Sequence, residues 1–428
     1  MTPAPRAIED PGAALDLRSA ARLAWLWGLP LVEIAQTRAR GAILGPAATA
    51  AGGFSHNPNL AGPDQRGVTT PNNDTLYSTA FVDLAGGSAE VVLPAGGDRY
   101  VSLQILDAYT NTVATLGSRT TGRRGGRYVV AGPTGDAPRG AIRSPTPWVW
   151  MIARTLVDGP QDLMAARAIQ QGFEVRAPQP RNARPPVARD APWDAYFPAL
   201  QELMAENPPP VTDNAFFEAI ARLGLGPEEG FDRAAFTPEE AAEIAAGVAT
   251  AQAMLGAPRT PRLLEGWSYP AANLGDYRQD YLTRAAVALA GLGALTCDEA
   301  MYMRAGAPEG GVVFQSRGLH RLSFPPGREP PVNAFWSLSL YEVTPVGQLF
   351  FTPNRLDRYA IGDRTPGLAR SPEGSLDIWI GPEDPGGARA ANWLPAPADK
   401  PYALILRAYL PKPELLNGGY RLPPIETA

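Results

Sequence analysis

The spacing of apolar residues changes several times along the chain, and each change predicts a different kind of element. Residues 13–40 place apolar side chains three or four positions apart, as on one face of an α-helix, and Pro30 is expected to kink or end its first part. From residue 68 to 157 apolar and polar residues alternate, which is typical of half-buried strands. The strand candidates there, each bounded by Gly, Pro or Asp, are residues 75–83, 90–93, 101–105, 128–131 and 148–157.

The middle of the chain returns to a helical pattern. A strong helix start lies at Thr237, because its hydroxyl can cap the helix, a proline follows, and Glu240 completes a capping box. Residues 174–192 are rich in proline and arginine and are predicted to form a loop. Residues 296–299 could form another capping box, although residues 301–303 could also begin a strand. The other helix candidates are residues 162–173, 193–206, 214–223 and 276–292.

A β pattern returns from residue 312 onward. Alternation is clearest at residues 334–341, and strand candidates at 375–380 and 402–409 follow between proline-rich connections. Together these patterns predict a mostly β protein with an N-terminal β-sandwich, a central α-helical segment and a C-terminal sandwich or jelly roll. The predicted domains are a helical segment at 1–45, the first sandwich at 46–158, a helical region at 159–305 and the second β domain at 306–428.

Composition narrows the classes of function. The chain has 428 residues, of which 45% are apolar and 19% charged, so it is globular and long enough for two or three domains. Its net charge of −5 gives no basic face for nucleic acid, and no apolar run approaches the roughly 20 residues of a membrane span. The single cysteine, Cys297, excludes intrachain disulfides. Residues 1–23 lack the apolar core of a signal peptide, so a soluble, cytoplasmic protein is expected unless a leader has been removed.

Residues able to carry out chemistry concentrate between positions 54 and 122. The chain has two histidines, His56 and His320, so a zinc site built from several His or Cys ligands is nearly excluded. We expect His56 or Asp74 to move a proton, and Tyr77 and Arg119 to stabilise a developing oxyanion. The candidate substrate-binding residues are Asn72, Asn73, Gln104, Tyr109, Trp148 and Trp336.

An architectural interpretation of the same residues stays open. The run from Asn72 to Asp74 makes a good turn, an arginine paired with an aspartate suits the inside of a sandwich, and the tryptophans suit its core. A hard cation held by Asn72, Asp74 and Asp83 is a further alternative, although the spacing matches no recognised loop. Catalysis requires that separate strands of the first sandwich bring these side chains into mutual reach.

Several blocks of the chain, in order, resemble two domain-of-unknown-function families that usually occur together. Residues 68–78 (VTTPNNDTLYS), 99–104 (RYVSLQ), 107–111 (DAYTN) and 116–122 (LGSRTTG) resemble family 1254. Residues 330–341 (PPVNAFWSLSLY), 358–364 (RYAIGDR), 374–377 (GSLD) and 392–397 (NWLPAP) resemble its companion, family 1214. The resemblance implies an immunoglobulin-like sandwich, a helical insertion and a C-terminal jelly roll. The family has no settled activity, and its members often carry an export leader.

The leading hypothesis is an enzyme of hydrolase or lyase type that acts on a small organic molecule with no redox cofactor and no metal. The polar cluster at residues 56–122 motivates it, since it mixes an acid, amides, a phenol and a guanidinium. One alternative is a non-catalytic protein that binds a ligand or glycan on an aromatic platform. Another is a structural homo-oligomer that pairs apolar strands of its C-terminal region.

Overall fold

The computed structural model describes residues 14–40, 53–181, 186–227, 230–257 and 261–428. Its helices are α1 (Leu17–Arg40), α2 (Leu163–Gln170), α3 (Trp193–Glu206), α4 (Asn214–Ala219), α5 (Pro238–Gly256), α6 (Tyr281–Ala290) and α7 (Pro413–Leu416). Its first strands are β1 (Ser55–Asn57), β2 (Thr75–Asp83), β3 (Ala89–Leu93), β4 (Val101–Asp107), β5 (Thr112–Gly117), β6 (Gly126–Ala131), β7 (Ile142–Arg143), β8 (Trp148–Leu156) and β9 (Glu174–Arg176). The later strands are β10 (Trp267–Ser268), β11 (Ala300–Ala305), β12 (His320–Phe324), β13 (Val332–Val343), β14 (Leu349–Phe350), β15 (Ala360–Gly362), β16 (Leu376–Gly381), β17 (Trp393–Pro395), β18 (Tyr402–Pro411) and β19 (Ile425–Thr427).

The first nine strands form a β-sandwich. One sheet has the strand order β1-β2-β8-β4-β5, and the other has the order β7-β6-β3-β9. Val82 and Met151 of the first sheet share an apolar core with Val91 and Val130 of the second. Strand β8 pairs with both β2 and β4, and all nine of its residues are buried. Its nearly continuous apolar sequence therefore reflects cover on both faces of the sheet, not on one alone.

The later strands form a second sandwich. One sheet has the order β10-β11-β18-β13-β14, with β15 also paired to β13, and the other has the order β17-β16-β12-β19. The even-numbered residues of β13, such as Trp336 and Leu338, lie in the core between these sheets. Successive strand side chains point to opposite faces, so Ser337 and Ser339 lie on the other side of β13. That second side faces the first sandwich.

Helices α1, α3, α4, α5 and α6 share one apolar core. Trp27 of α1, Leu200 of α3 and Ile244 of α5 all belong to it, so the N-terminal helical segment and the central helical region pack as one unit. Helix α1 continues through Pro30 instead of ending there. Residues 1–13 and 41–52, which include the ends of that predicted segment and the start of the predicted first sandwich, lie outside the described residues.

The predicted architecture of two β-sandwiches and a helical insertion is confirmed. The helix start at Thr237 is confirmed too, since its hydroxyl accepts from Glu240 N at 3.3 Å and the Glu240 carboxylate accepts from Thr237 N at 3.0 Å. No helix that the structure describes is long and apolar enough to cross a membrane. The compartment and the oligomeric state stay predictions.

Three local predictions were wrong in part. The helix expected from residue 276 begins at Tyr281, where the Asp280 side chain caps it. Residues 296–299 start no helix, because the Thr296 hydroxyl donates to Asp298 and the chain then enters strand β11. The predicted loop 174–192 opens with the short strand β9, and its residues 182–185 lie outside the described part of the chain.

Candidate functional site

The two sandwiches meet through a layer of polar side chains. It lies between the sheet of β2, β8 and β4 and the sheet of β11, β18 and β13, on the faces that point away from each sandwich's own core. We call it the tyrosine–arginine layer, defined by Asn72, Asp74, Tyr77, Gln104 and Arg154 of the first sandwich and Tyr302, Ser337, Tyr341, Arg364, Arg407 and Tyr409 of the second.

Asn72 connects residues of both sandwiches. Its amide nitrogen lies 3.2 Å from the Tyr77 hydroxyl and 2.8 Å from the Tyr409 hydroxyl, and its carbonyl oxygen accepts from Asp74 N at 2.8 Å. That last bond closes the turn predicted from the Asn-Asn-Asp run. The turn therefore presents the Asn72 amide to two phenols, one from each sandwich.

Arg154 is the buried cation of the first sandwich. It lies on β8, directly opposite Tyr77 on β2, and is only 4% exposed. Its guanidinium donates to Gln104 Oε1 at 3.1 Å and to the carbonyl of Gly293 at 2.9 Å, and its Cζ lies 5.4 Å from the centroid of the Tyr77 ring. Both acceptors are neutral, and Arg154 forms no ion pair with any carboxylate of the described chain.

Arg407 is the corresponding buried cation of the second sandwich. It donates to Ser339 Oγ at 2.8 Å, to the Tyr341 hydroxyl at 2.6 Å and to the carbonyl of Thr70 at 2.9 Å. The carboxylate of Asp74 is engaged elsewhere, by Ser337 Oγ at 2.6 Å and by Arg364 Nη2 at 3.1 Å. The acceptors around both guanidiniums are therefore phenols, hydroxyls and carbonyls. A buried guanidinium is ordinarily paired with a carboxylate.

This environment separates the phenols of the layer by their acidity. Burial alone would raise the pKa of Tyr77, but the charge of Arg154, the hydrogen bond from Asn72 and the charge of Arg407 outweigh it, and that pKa lies below its ordinary value. Burial raises the pKa of Tyr302 and raises that of Tyr409 strongly. Burial raises the pKa of Tyr341 too, so the layer holds one phenol that ionises more readily than usual beside three that keep their protons.

An apolar wall borders the Tyr77 end of the layer. Phe81 stacks on Trp150 with centroids 5.5 Å apart and an interplanar angle of 4°, and Leu292 packs against the same group. Tyr77, Phe81, Leu292 and Tyr302 are half-buried, so each keeps some accessible surface. Surface pockets of about 350 Å³ and about 200 Å³ lie elsewhere, beside the helices, and contain no residue of the layer.

His56 does not join the layer. It lies opposite Ser78 in the β1–β2 ladder and its Nδ1 is 2.8 Å from Ser78 Oγ, so it occupies the face of the sheet opposite to that of Tyr77. Its ring also stacks on Phe54. The structure therefore separates His56 from the other candidate catalytic residues, contrary to the expected convergence.

Arg119 reaches the edge of the layer through other residues. It forms ion pairs with Glu299 at 2.6 Å and with Asp298 at 2.7 Å. Glu299 in turn accepts from the Tyr100 hydroxyl at 2.7 Å, and the Tyr100 ring meets Tyr409 edge-on at 5.3 Å between centroids. Arg119 is thus connected to Tyr409 only through Glu299 and Tyr100, and it does not lie beside Tyr77.

Among the predicted substrate-binding residues, Asn72 and Gln104 lie in the layer and the other four do not. Asn73 donates to the carbonyl of Ala61 at 2.6 Å, in a neighbouring loop. Tyr109 lies in the helical core, and Trp336 lies in the core of the second sandwich. Trp148 is at the far end of β8, where the guanidinium carbon of Arg38 lies 4.2 Å from the centroid of its ring. Aromatic packing explains these last three positions.

The alternative cation site is not assembled. Asp83 lies at the other end of β2 from Asp74 and pairs with Arg181 at 2.8 Å. Asp74 is occupied by Arg364 and Ser337. Within the described ranges, no three His, Cys, Asp or Glu side chains are arranged to hold a metal ion.

Sequence reasoning missed Arg154, Arg407, Tyr302 and Tyr409. A signal was present for the two arginines, since each interrupts an otherwise largely apolar strand, Trp148–Leu156 and Tyr402–Pro411. A charge inside a strand whose neighbours are buried must find polar partners, which marks it as structural or functional.

In this protein two β-sandwiches enclose the tyrosine–arginine layer. Residues 52–177 match the family described as "Protein of unknown function (DUF1254)", and residues 299–413 match "Protein of unknown function (DUF1214)". The first sandwich therefore matches the DUF1254 model and the second sandwich the DUF1214 model, in the order that the resemblance indicated. Every residue of the layer falls inside one of these two matches, so the layer forms where the regions meet.

Several solved structures match this chain, and two of them are as follows. The VPA0106 protein from Vibrio parahaemolyticus is 22% identical, covers 96% of this chain and 100% of its own, and superposes with a TM-score of 0.68, which supports the same fold. An uncharacterized protein from Burkholderia cenocepacia is 13% identical over 95% of this chain and 87% of its own, with a TM-score of 0.46. No curated protein matches the chain.

Proposed function

We propose that this protein is an enzyme of hydrolase or lyase type that moves a proton on a small organic molecule, without a redox cofactor, at the tyrosine–arginine layer. The observation that carries the proposal is the guanidinium of Arg154 beside Tyr77, with its Cζ 5.4 Å from the ring centroid and no carboxylate of the described chain paired to it. A positive charge in that position favours the phenolate form of Tyr77.

Tyr77 is the proton-transfer group of this proposal. Its pKa is lowered by Arg154 and Asn72 against the effect of burial, which brings a phenol closer to the range where it can act as a general base and then as an acid. Tyr302 and Tyr409 keep their protons and can donate hydrogen bonds to a developing oxyanion. The mixture of one base and two neutral donors supports acid–base chemistry without a metal.

Asp74, Ser337 and Arg364 act as positioning residues in this proposal. They join the sandwiches by hydrogen bonds and an ion pair, and the same turn places Asn72 against Tyr77. Proton transfer falls off steeply when donor and acceptor are displaced by an ångström, so a fixed distance between the sandwiches is part of the site.

The test is a turnover screen with matched tyrosine variants. The panel consists of small esters for hydrolysis and hydroxy acids for elimination of water, and any activity found is compared between wild type, Tyr77→Phe and Tyr196→Phe. Tyr196 is a suitable control, because it is fully buried in the helical core and its hydroxyl makes only a long hydrogen bond of 3.4 Å to the Trp25 carbonyl. We expect kcat to fall about 100-fold or more in Tyr77→Phe and to stay unchanged in Tyr196→Phe.

A second measurement does not depend on knowing the substrate. Ultraviolet titration of tyrosinate absorbance in the folded protein should show one phenol that ionises below the others, and this step should vanish in Tyr77→Phe. Wild-type turnover in Tyr77→Phe contradicts the proposal. Saturable ligand binding with no product anywhere in the panel supports the alternative of a non-catalytic binding protein.

A further inference from the structure

The charges inside the tyrosine–arginine layer do not balance. Arg154 is 4% exposed and Arg407 is 3% exposed, yet neither forms an ion pair with any residue that the structure describes. The phenols of Tyr77 and Tyr302 are the strongest charge-bearing neighbours of Arg154. A buried guanidinium without an anion is costly, because the energy lost on leaving water is not recovered.

Other buried arginines of this chain show what the ordinary arrangement is. Arg38 pairs with Glu206 at 2.9 Å, with both side chains at most 8% exposed. Arg284 is 1% exposed and, like Arg154, forms no ion pair with the described residues, but the groups that act most strongly on its charge are the carboxylates of Asp213 and Asp107, whereas those that act on Arg154 are phenols. The fold therefore supplies a carboxylate to these buried guanidiniums, and Arg154 is an exception to that pattern.

We infer that Arg154 holds a small organic carboxylate, which binds between its guanidinium and the phenols of Tyr77 and Tyr302 with its apolar part against Phe81 and Leu292. A guanidinium presents a planar set of five donors that matches a carboxylate, and Gln104, the Gly293 carbonyl and the Tyr77 phenol engage only part of the set in Arg154. The half-buried Phe81 and Leu292 offer an apolar surface beside this charge, as ligand sites usually do. The inference names the substrate class of the proposed site, so it rests on the proposed function.

A carboxylate is favoured over phosphate by the surroundings. Phosphate sites in proteins typically use clusters of backbone N–H groups at loops or helix ends, whereas the layer offers side-chain phenols, one amide and an aromatic wall. A single guanidinium beside an apolar surface suits a singly charged group on an apolar body better than a more highly charged, fully hydrated ion. Inorganic phosphate is therefore a useful negative probe.

Binding of the carboxylate should be coupled to proton uptake. In the free protein the Tyr77 phenolate and an entering carboxylate would compete for the same charge on Arg154. When the carboxylate binds, the phenolate accepts one proton from solvent, a new O–H bond forms at Tyr77, and the net charge of the site is unchanged. One proton should therefore be taken up per anion bound, at pH values above the midpoint of the Tyr77 ionisation.

The experiment measures binding by calorimetry in two buffers of different ionisation enthalpy. The probes are acetate, benzoate and phenylacetate, with benzamide as the neutral analogue of benzoate and inorganic phosphate as the other anion. At a pH above the midpoint of the Tyr77 ionisation, as found in the ultraviolet titration, we expect at least one carboxylate to bind wild type with uptake of about one proton, and benzamide to bind about 100-fold more weakly than benzoate. Tyr77→Phe should still bind the carboxylate but take up no proton.

Two arginine variants complete the test. Arg154→Lys keeps the charge but loses the planar set of donors, so carboxylate affinity should fall about 10-fold or more. Arg123→Lys is the control, since Arg123 is 60% exposed and pairs with an exposed aspartate, and its affinity should equal that of wild type. Because Arg154→Lys could fail to fold, the proton uptake of wild type and Tyr77→Phe stands as the independent readout.

The outcomes separate this inference from the proposed function. Equal binding of benzamide and benzoate, binding of phosphate but of no carboxylate, or no binding of any carboxylate overturns the inference. If turnover depends on Tyr77 while no carboxylate binds, the proposed function stands and the substrate class fails. If carboxylates bind with proton uptake and no substrate is turned over, the carboxylate site stands and catalysis fails.

Discussion

The hydroxyl of Ser337 donates a hydrogen bond of 2.6 Å to Asp74 Oδ2, across the boundary between the two sandwiches. Arg364 donates to the other carboxylate oxygen at 3.1 Å, and its guanidinium carbon lies 4.2 Å from the centroid of the Phe335 ring. Asp74 thus takes two charge-assisted contacts from the second sandwich while it is only 6% exposed. This carboxylate is better explained as a joint between the sandwiches than as the group that moves a proton.

Replacing Asp74 with asparagine tests that role. The variant leaves Arg364 with only the more distant carboxylates of Asp158 at 3.9 Å and Asp363 at 4.0 Å, so we expect the free energy of unfolding to fall by about 2 kcal/mol in urea titrations. Asp98→Asn is the matched control, because Asp98 is almost fully exposed and pairs with Arg123 on the surface, and it should leave the unfolding transition unchanged. Loss of turnover in Asp74→Asn with unchanged stability would instead make Asp74 a catalytic group.

A second prediction concerns His56. Because His56 lies on the opposite face of β2 from Tyr77, His56→Gln should retain the turnover of wild type. Burial lowers the pKa of His56, so the folded state favours the neutral ring. Stability from this group is therefore present above the unfolded pKa of about 6.5 and declines as the pH falls below it.

The measurement for His56 is an NMR titration of the imidazole C–H signals together with urea unfolding at pH 5 and pH 7. We expect a midpoint below that of a free histidine, and a loss of wild-type stability on acidification that is smaller in His56→Gln. A fall in turnover as large as that of Tyr77→Phe would restore His56 to the catalytic group.

The sequence predicts local structure well here because periodicity and turn chemistry are local. The run of nine residues in β8 and the turn that begins at Pro71 both follow from neighbouring residues. The pairing of Arg407 with Tyr341, and the contact of Asn72 with Tyr409, depend instead on which sheet faces which. No local pattern encodes that choice, so the second-sandwich half of the layer could not be predicted.

Strand register, which no local pattern encodes, also decides where the His56 side chain lies. His56 lies on a strand next to that of Tyr77, since β1 pairs with β2 and Asn57 lies opposite Tyr77. The side chains nevertheless point to opposite faces, because a one-residue difference in register reverses the face. Composition and spacing identify the candidate residues, but the register of the strands decides which of their side chains face the layer.

A third prediction concerns Asp107, a buried carboxylate away from the layer. Burial raises its pKa to about 6, although Tyr109 N and Asn111 N both donate to its Oδ1 at 2.9 Å. The folded pKa lies above the unfolded one, so the stability it contributes is present below about pH 4 and is lost as the pH rises through about 6. A shift of about two units corresponds to roughly 3 kcal/mol.

Asp107→Asn removes this titration without a large change of shape. Between pH 4 and pH 7 wild type should therefore lose up to roughly 3 kcal/mol of unfolding free energy relative to the variant. Urea unfolding of both proteins at several pH values measures it. A difference that is constant over this range contradicts the prediction.

A last prediction tests how the chain positions Arg364. Gly362 ends β15 opposite Ser337, and a Cβ added to it would lie 2.1 Å from the carbonyl oxygen of Trp336, which is backbone and cannot turn aside. Gly362→Ala should therefore push β15 away from β13 and carry Arg364 with it. We expect a loss of about 2 kcal/mol in unfolding free energy, against no change in Gly62→Ala, where nothing lies within 4 Å of the added carbon.

Combining Gly362→Ala with Asp74→Asn shows whether the two changes act on one contact. If the alanine acts by moving Arg364 away from Asp74, the ion pair is already lost, and the double variant should be less destabilised than the sum of the single variants. Independent, additive losses would mean that Arg364 stays in place and that the alanine only strains the strand pairing. A double-mutant cycle from urea unfolding, with Gly62→Ala in place of Gly362→Ala as the reference, distinguishes these cases. A non-additive result would mean that the contact between the sandwiches depends on Gly362. Only a residue without a side chain lets β15 approach β13 closely enough to hold Arg364 against Asp74.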